Sequence, residues 1–250
     1  MSTHGKSASE SDREPGKARG ARARARIEIT AAIKDEARRQ LAADGAAKLS
    51  LRAVARELGM VSSALYRYFP SRDELLTALI IDAYDSLGEA AEAADAAHAK
   101  AGAAPEVRWV AVCGAVREWA VARPHEYGLI YGSPVPGYTA PQATVGPASR
   151  VGLLLISIAR DAHRGAGLGV APLSEDVRPE ADRLAADVAP DLPPAAAVAL
   201  AAAWAQLFGL VSFEVFGQFN RVVEDREAFF VHAVTELARG VGLLSRDRPA

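Results

Sequence analysis

The chain has 250 residues, half of them apolar, and a formal charge of −2. That length fills one large core or two small ones. A lone cysteine, Cys113, excludes an intrachain disulfide and any CxxC redox or metal motif, and the histidines at 4, 98, 125, 163 and 232 lack the close pairing of an HExxH site. No GxxxxGK[ST] loop occurs, "RGAGLGVAP" at 164–172 has no strand before it, and no Ser/His/Asp, Cys/His or paired-carboxylate arrangement can be argued from spacing. The expectation is therefore no metal, no cofactor and no enzyme.

The charge is unevenly distributed. Residues 1–72 hold 15 Lys and Arg against 8 Asp and Glu, whereas the remainder holds 14 against 23. A basic front and an acidic remainder fit a front that meets a polyanion, although a solvated basic face gives the same count. The start, "MSTHGKSASESDREPGKARG", has no apolar stretch of signal-peptide type, and the apolar run 195–211 is interrupted by Gln206 and Gly209 and gives way to Glu214. A cytoplasmic protein that does not span a membrane is expected.

In chain order, residues 1–21 read as a disordered tail rich in Ser, Gly and charge. From "ARARARIEIT" a first helix carries Ile29, Ile33, Ala37 and Leu41 four apart and ends near Gly45. Ser50 is a good N-cap for a second helix with Leu51, Val54, Ala55 and Leu58 on one face, stopped by Gly59. A third helix spans 61–69 and meets Pro70, and "SRDE" at 71–74 reads as a capping box, Ser71 with Glu74, opening a fourth helix over 71–88. The pattern weakens between Ala90 and Gly102. Further helices are expected over about 105–123, with a turn or two in "HEYGLIYG", then 148–164, 193–219 and 225–244. The class is all-α, in two domains, with residues 22–70 forming the first and 89–245 the second.

On a helical wheel Val61, Leu65 and Phe69 make a narrow inward seam, leaving Ser62, Ser63, Tyr66 and Arg67 on the outer arc and Tyr68 at its edge. Small residues at a helix start allow close approach to base edges, hydroxyls and a guanidinium bond bases or phosphates, and tyrosines reach the phosphodiester chain. Two short helices about a glycine form a helix-turn-helix. Spacing alone leaves two readings open, a recognition helix and an ordinary helix pair whose tyrosines are half-buried core.

The segment "LSLRAVARELGMVSSALYRYFPSRDELLTALI", residues 49–80, resembles the DNA-binding domain of the tetracycline-repressor (TetR) family of bacterial transcription regulators, through its LGM turn, the small polar residues after it, "LYRYF" at 65–69, and the Pro-Ser-acidic helix start. The resemblance implies a homodimeric repressor that sets the 61–69 helix in successive major grooves of a near-palindromic double-stranded operator. Carried over by position, Ser62, Ser63, Ala64 and Arg67 would face bases or flanking phosphates. Tyr66 and Tyr68 would bond phosphates, with Ser50, Arg52, Ser71 and Arg72 as further phosphate contacts. Arg22, Arg24 and Arg26 suggest an arm before the first helix, with a solvated helix start as the other reading. An activator of the same family, or a helical adaptor that binds no DNA, are the alternatives.

In the second domain, "ARPHEYGLIYGSPVPGY" and "WAQLFGLVSFEVFGQF" resemble a subgroup with a tryptophan-hydrophobic-glycine C-terminal domain. Along 200–216, Leu200, Trp204, Leu207, Phe208, Val211 and Val215 form one stripe, and Ala201, Ala205, Gly209, Ser212 and Phe216 another, so this helix is expected to bury two sides. The resemblance implies a dimer interface through helices at about 195–217 and 225–243, and a small-molecule effector that shifts the 72–88 helix. Aromatic and polar residues on the middle helices make Trp109, Cys113, Trp119, Tyr127, Tyr131, Trp204 and Phe208 the pocket candidates for an apolar ligand. Glu214, among apolar neighbours, requires a partner if buried.

Overall fold

The computed structural model describes residues 14–244, with side chains from residue 20. All regular structure among them is helical, as expected for alanine- and leucine-rich segments with few β-branched runs. The chain divides into two compact units, residues 1–79 and 80–250.

The first unit opens with α1 (Glu14–Asp44), followed by α2 (Leu51–Glu57), α3 (Ser62–Leu65) and the start of α4 (Arg72–Lys100). Helix α1 begins eight residues inside the segment expected to be a disordered tail; residues 1–13 of that tail lie outside the described residues. Ile33, Ala37 and Leu41 are buried as the four-residue spacing requires, and they enclose Leu51, Val54, Leu65, Phe69, Leu75 and Leu76. Ser50 caps α2, accepting from the Ala53 N–H at 3.4 Å, and Ser71 caps α4, accepting from the Glu74 N–H at 3.1 Å. Both caps were legible from residue type and position.

The second unit holds the rest of α4, then α5 (Pro105–Ala122), α6 (Pro124–Tyr131), α7 (Val145–Arg164), α8 (Arg178–Val188), α9 (Pro194–Val215) and α10 (Arg226–Val241). Helix α4 continues to Lys100, well past the expected end near 88, because its alanines keep helix propensity high even where the apolar pattern fades. Helix α8 was not anticipated; its buried face is Ala181 and Ala185 only, too faint a stripe to stand out in sequence. Helix α5 lies among α7, α9 and α10, and its face of Trp109, Val112, Cys113, Val116 and Ala120 is fully buried. Helix α9 is, among the described residues, the one helix long and apolar enough to cross a membrane by length and composition, but it packs against α5, α6, α7, α8 and α10.

The partner that Glu214 requires is Arg117, across α5 and α9, in a two-bond fork of 2.6 and 2.7 Å. The two side chains are 18% and 8% exposed, and the Arg117 guanidinium also lies over the Phe230 ring at 5.4 Å. Removing one member leaves a nearly dry charge, whereas replacing both with apolar groups does not. Arg117→Ala is expected to lower the unfolding free energy by about 3 kcal/mol, and the double change Arg117→Met with Glu214→Leu to cost clearly less, measured by urea denaturation of both variants.

Candidate nucleic-acid interface

Between α2 and α3 the chain turns at Gly59, whose φ of +63° lies in the left-handed region. The Met60 N–H closes the turn on the Ala55 carbonyl at 2.8 Å. This turn sets α3 outward. Leu65 is fully buried and Phe69 nearly so, while Ser62, Ser63, Tyr66 and Arg67 are exposed and Ala64 and Tyr68 are partly so. Regular α-helix ends at Leu65, after which the bonds tighten to Arg67 N–H to Ala64 and Tyr68 N–H to Leu65, so the expected nine-residue helix is a short helix with a tight final turn.

Val61 departs from the wheel. It is 70% exposed, because as the N-cap residue of α3 it has extended backbone angles and stands outside the helical register. The seam is Leu65 and Phe69 alone. Arg22, Arg24 and Arg26 are likewise not an arm but exposed positions inside α1. At i, i+4 spacing Arg22 and Arg26 share a face and Arg24 does not. Arg26 covers the Tyr68 ring at 5.2 Å, which brings one of these cations to the edge of α3.

Arg52, at the start of α2, and Arg67 are exposed, and among the described residues neither pairs with a carboxylate. Arg72 is otherwise engaged. The guanidinium of this expected phosphate contact donates to the carbonyls of Ala46 at 2.8 Å, Ala47 at 3.3 Å and Leu49 at 3.2 Å and lies 3.5 Å from Asp73, so it braces the 46–49 turn before α2. Ser50 and Ser71 accept from the backbone as caps and retain their hydroxyl protons for an outside acceptor.

Among the cavities of the second unit, two share a wall. One, of about 300 Å³, lies between α7, α8 and α9, lined by Leu155, Leu184, Val188 and Leu200. The other, of about 610 Å³, lies between α4, the 132–145 segment and α7, lined by Tyr84, Ser133, Tyr138 and Thr144. Ala148, Ser149 and Trp204 line both. Directly after Ser149, Arg150 reaches across to α4, donating to Asp85 Oδ1 at 2.8 Å, the Asp85 carbonyl at 3.0 Å, and both oxygens of Glu92 at 2.9 and 2.7 Å. The Glu92 carboxyl is held below its ordinary range by these bonds. The guanidinium lies on Gly88, where a Cβ would come within 2.6 Å of Arg150 Nε. A second clamp joins Arg108 of α5 to Asp95 of α4 at 2.7 and 2.9 Å and to Asp161 of α7 at 2.8 Å.

Residues 33–79 match the family model for bacterial regulatory proteins of the tetR family, and residues 109–237 match the tetracyclin repressor-like C-terminal domain. The chain is 42% identical over 208 residues to the HTH-type transcriptional regulators Mb1846 of Mycobacterium bovis and Rv1816 of Mycobacterium tuberculosis, covering 80% of this chain and 86% of each relative. The chain belongs to the TetR family. Among solved structures it resembles the putative regulatory protein SCO4313, at 33% identity and a TM-score of 0.69 over 86% of this chain and 97% of that one. A protein of unknown function from Rhodococcus sp. RHA1 shares the fold at 24% identity and a TM-score of 0.64, over 86% of this chain and 95% of that one. The family consists of transcriptional regulators, not enzymes, and the matched residues 33–79 contain α2, the Gly59 turn and α3.

Within this TetR-family scaffold most of the expected pocket residues are core. Trp109 is fully buried with its indole N–H on the Val234 carbonyl at 3.1 Å, and Trp119 donates to Ser86 at 2.9 Å. Cys113 is fully buried, and desolvation pushes its thiol pKa far up. The Tyr127 hydroxyl meets the Phe208 carbonyl at 3.2 Å and Ser212 Oγ at 2.8 Å, and burial raises its pKa to about 12. Tyr131 stacks between Tyr127 and Phe208, at 5.2 and 4.1 Å between centroids. Of the seven, Trp204 alone lines the two cavities. Sequence reasoning missed Tyr84, Ser149 and Arg150; Arg150 is the only charge in "ASRVGLLLIS", a signal that could have marked it.

The Gly88 contact predicts a change of sign. Alanine favours helix interiors over glycine by about 1 kcal/mol, so Gly88→Ala should stabilise an Arg150→Ala background, yet destabilise the native chain by displacing the clamp. Urea denaturation of the four-protein cycle measures the coupling.

Proposed function

We propose that this TetR-family regulator is a homodimeric repressor that binds a near-palindromic operator through α3 and releases it when a small apolar molecule occupies the second unit. The observation that carries the reading is the α3 arc. A four-residue helix is held by two buried side chains, Leu65 and Phe69, while Ser62, Ser63, Tyr66 and Arg67 remain exposed. With Ala64 partly exposed behind them, these residues present small, polar and cationic groups suited to base edges and phosphates. Tyr68 with Arg26, and Arg22, Arg52, Ser50 and Ser71 flank the arc as phosphate contacts. A regulator of genes acts in the cytoplasm.

Dimerisation through α9 and α10 is supported by the apolar side they leave uncovered. Ala201, Ala205, Gly209 and Phe213 are exposed on α9, Phe216 at its C-cap, and Phe229 and Val231 on α10, with Phe213, Phe216, Phe229 and Val231 at 52, 45, 38 and 46%. Phe213, Phe219 and Phe229 form an edge-to-face cluster at 5.6 and 5.4 Å. Small residues beside aromatic anchors suit close helix packing between two copies.

Helix α4 is one continuous helix whose Leu75, Leu76 and Leu79 are buried within the first unit and whose Ala83, Leu87 and Ala91 belong to the core of the second. A ligand that favours one position of α7 acts on α4 through Arg150. Because an operator fixes its half-site spacing, ligand and DNA then oppose each other by linkage.

Selection of bound duplexes from a random pool tests the reading, with an inverted repeat as the expected product; recovery of no enriched sequence would favour a helical adaptor, and reporter output with the operator upstream of a promoter separates activation from repression. Arg67→Ala should weaken the selected operator by about 1–3 kcal/mol, read by fluorescence anisotropy. Gly209→Arg should yield monomers in sedimentation velocity and lose operator binding without loss of helicity.

A further inference from the structure

The linings of the two cavities carry specific chemical information. Neither contains an Asp, Glu, Lys, Arg or His. A charged ligand entering either chamber would shed its hydration and meet no counter-charge, which is strongly unfavourable. The smaller chamber is walled by aliphatic side chains and alanines, with Ser149 and the Trp204 indole at its boundary with the larger.

The larger chamber is lined by five hydroxyls, and those of Tyr84, Thr144 and Ser149 have already committed their protons. Tyr84 donates to the Ile130 carbonyl at 3.3 Å, Thr144 to the Pro141 carbonyl at 2.8 Å, and Ser149 to the Gly146 carbonyl at 2.8 Å. A hydroxyl has one proton and two lone pairs. These three groups therefore offer a guest acceptors. Burial also raises the pKa of Tyr84, which keeps the phenol neutral.

We infer that the two cavities are one bipartite binding site for a neutral molecule whose apolar body occupies the chamber between α7, α8 and α9, and whose hydrogen-bond-donating head, an alcohol or phenol hydroxyl, occupies the chamber beside Tyr84, Thr144 and Ser149. Ala148, Ser149 and Trp204 form the shared wall between body and head. The inference deepens the proposed ligand-responsive function and rests on it only for the word effector; the site itself stands on its lining. Seated at Ser149, the head group is one residue from Arg150 and its clamp on α4.

Trp204 supplies the reporter. It is 43% exposed, whereas Trp109 and Trp119 are at 0 and 4%, so acrylamide quenching of tryptophan emission reads Trp204 almost alone. The experiment titrates the full chain with 1-decanol, decyl methyl ether, decanoate and decylammonium, following calorimetry and quenching together. Decanol should bind at least tenfold more tightly than the ether, which cannot donate, and than either charged probe, and should shield Trp204. Ser149→Val should narrow the preference for decanol over the ether. Val188→Phe, an exposed α8 position on the smaller chamber, should remove decanol binding with no change in thermal unfolding. Binding of decanoate or decylammonium as tight as that of decanol, or full decanol affinity in Val188→Phe, overturns the inference. Operator release is measured separately: decanol binding without release leaves the site in place and overturns the regulatory reading instead.

Discussion

The second unit depends on guanidinium forks between helices. Its helices are rich in alanine, and alanine surfaces interlock weakly, since a short side chain fits a neighbouring groove at several registers. Arginine corrects this. The group stays charged at any accessible pH, and its planar fork accepts only a few carboxylate placements. Arg108 fixes α5 against α4 and α7, Arg117 fixes α5 against α9, and Arg150 fixes α7 against α4. Each fork determines the axial position of one helix relative to another. Such pairs add modest net stability, and their larger contribution is to select one arrangement among near-equivalent ones.

The same residue type serves the opposite purpose in the first unit. There the core is built from Ile33, Leu41, Leu65, Phe69, Leu75 and Leu76, large side chains that interlock without ionic help. Arg52 and Arg67 are consequently left exposed, with no carboxylate partner among the described residues. Exposed Arg52 and Arg67 in one unit and cations clamped between helices in the other give part of the physical content of the basic front and acidic remainder, although Arg38, Arg39 and Arg56 of the first unit also pair, with Asp35, Glu36 and Glu57 of their own helices. Arg72 marks the limit of that division, because a cation close to an exposed loop is still drawn to backbone carbonyls when three of them converge.

What was legible in the sequence followed from local rules. Caps at Ser50 and Ser71, the turn at Gly59 and the α5 stripe depend on residues within a turn or two of one another, so periodicity reaches them, whereas the second α9 stripe of Ala201, Ala205, Gly209 and Phe216, expected to be buried, is exposed. The requirement that Glu214 have a partner was also readable, since the cost of a buried charge needs no knowledge of the fold; that the partner is Arg117, 97 positions away, needs the fold itself. The misreadings share one cause. Val61 was placed on a wheel that begins one residue later, and Arg22 to Arg26 were placed before a helix that had already begun.

Most of the pocket candidates other than Trp204 are core for a different reason, and it bears on how helical bundles leave space. Aromatic side chains signal burial, and here Trp109, Trp119, Tyr127 and Phe208 fill the centre together with Leu87, Leu155, Ile158 and Leu207. Space remains where small residues face one another, and the cavity walls are accordingly drawn from Ala148, Gly152, Ala197 and Ala201 as much as from large side chains. A cavity is thus announced in sequence by the scarcity of bulk along facing helix stripes. At the boundary of the larger cavity the hydroxyls of Tyr84, Thr144 and Ser149 commit their protons to neighbouring carbonyls, so there the local backbone leaves acceptor lone pairs facing the space.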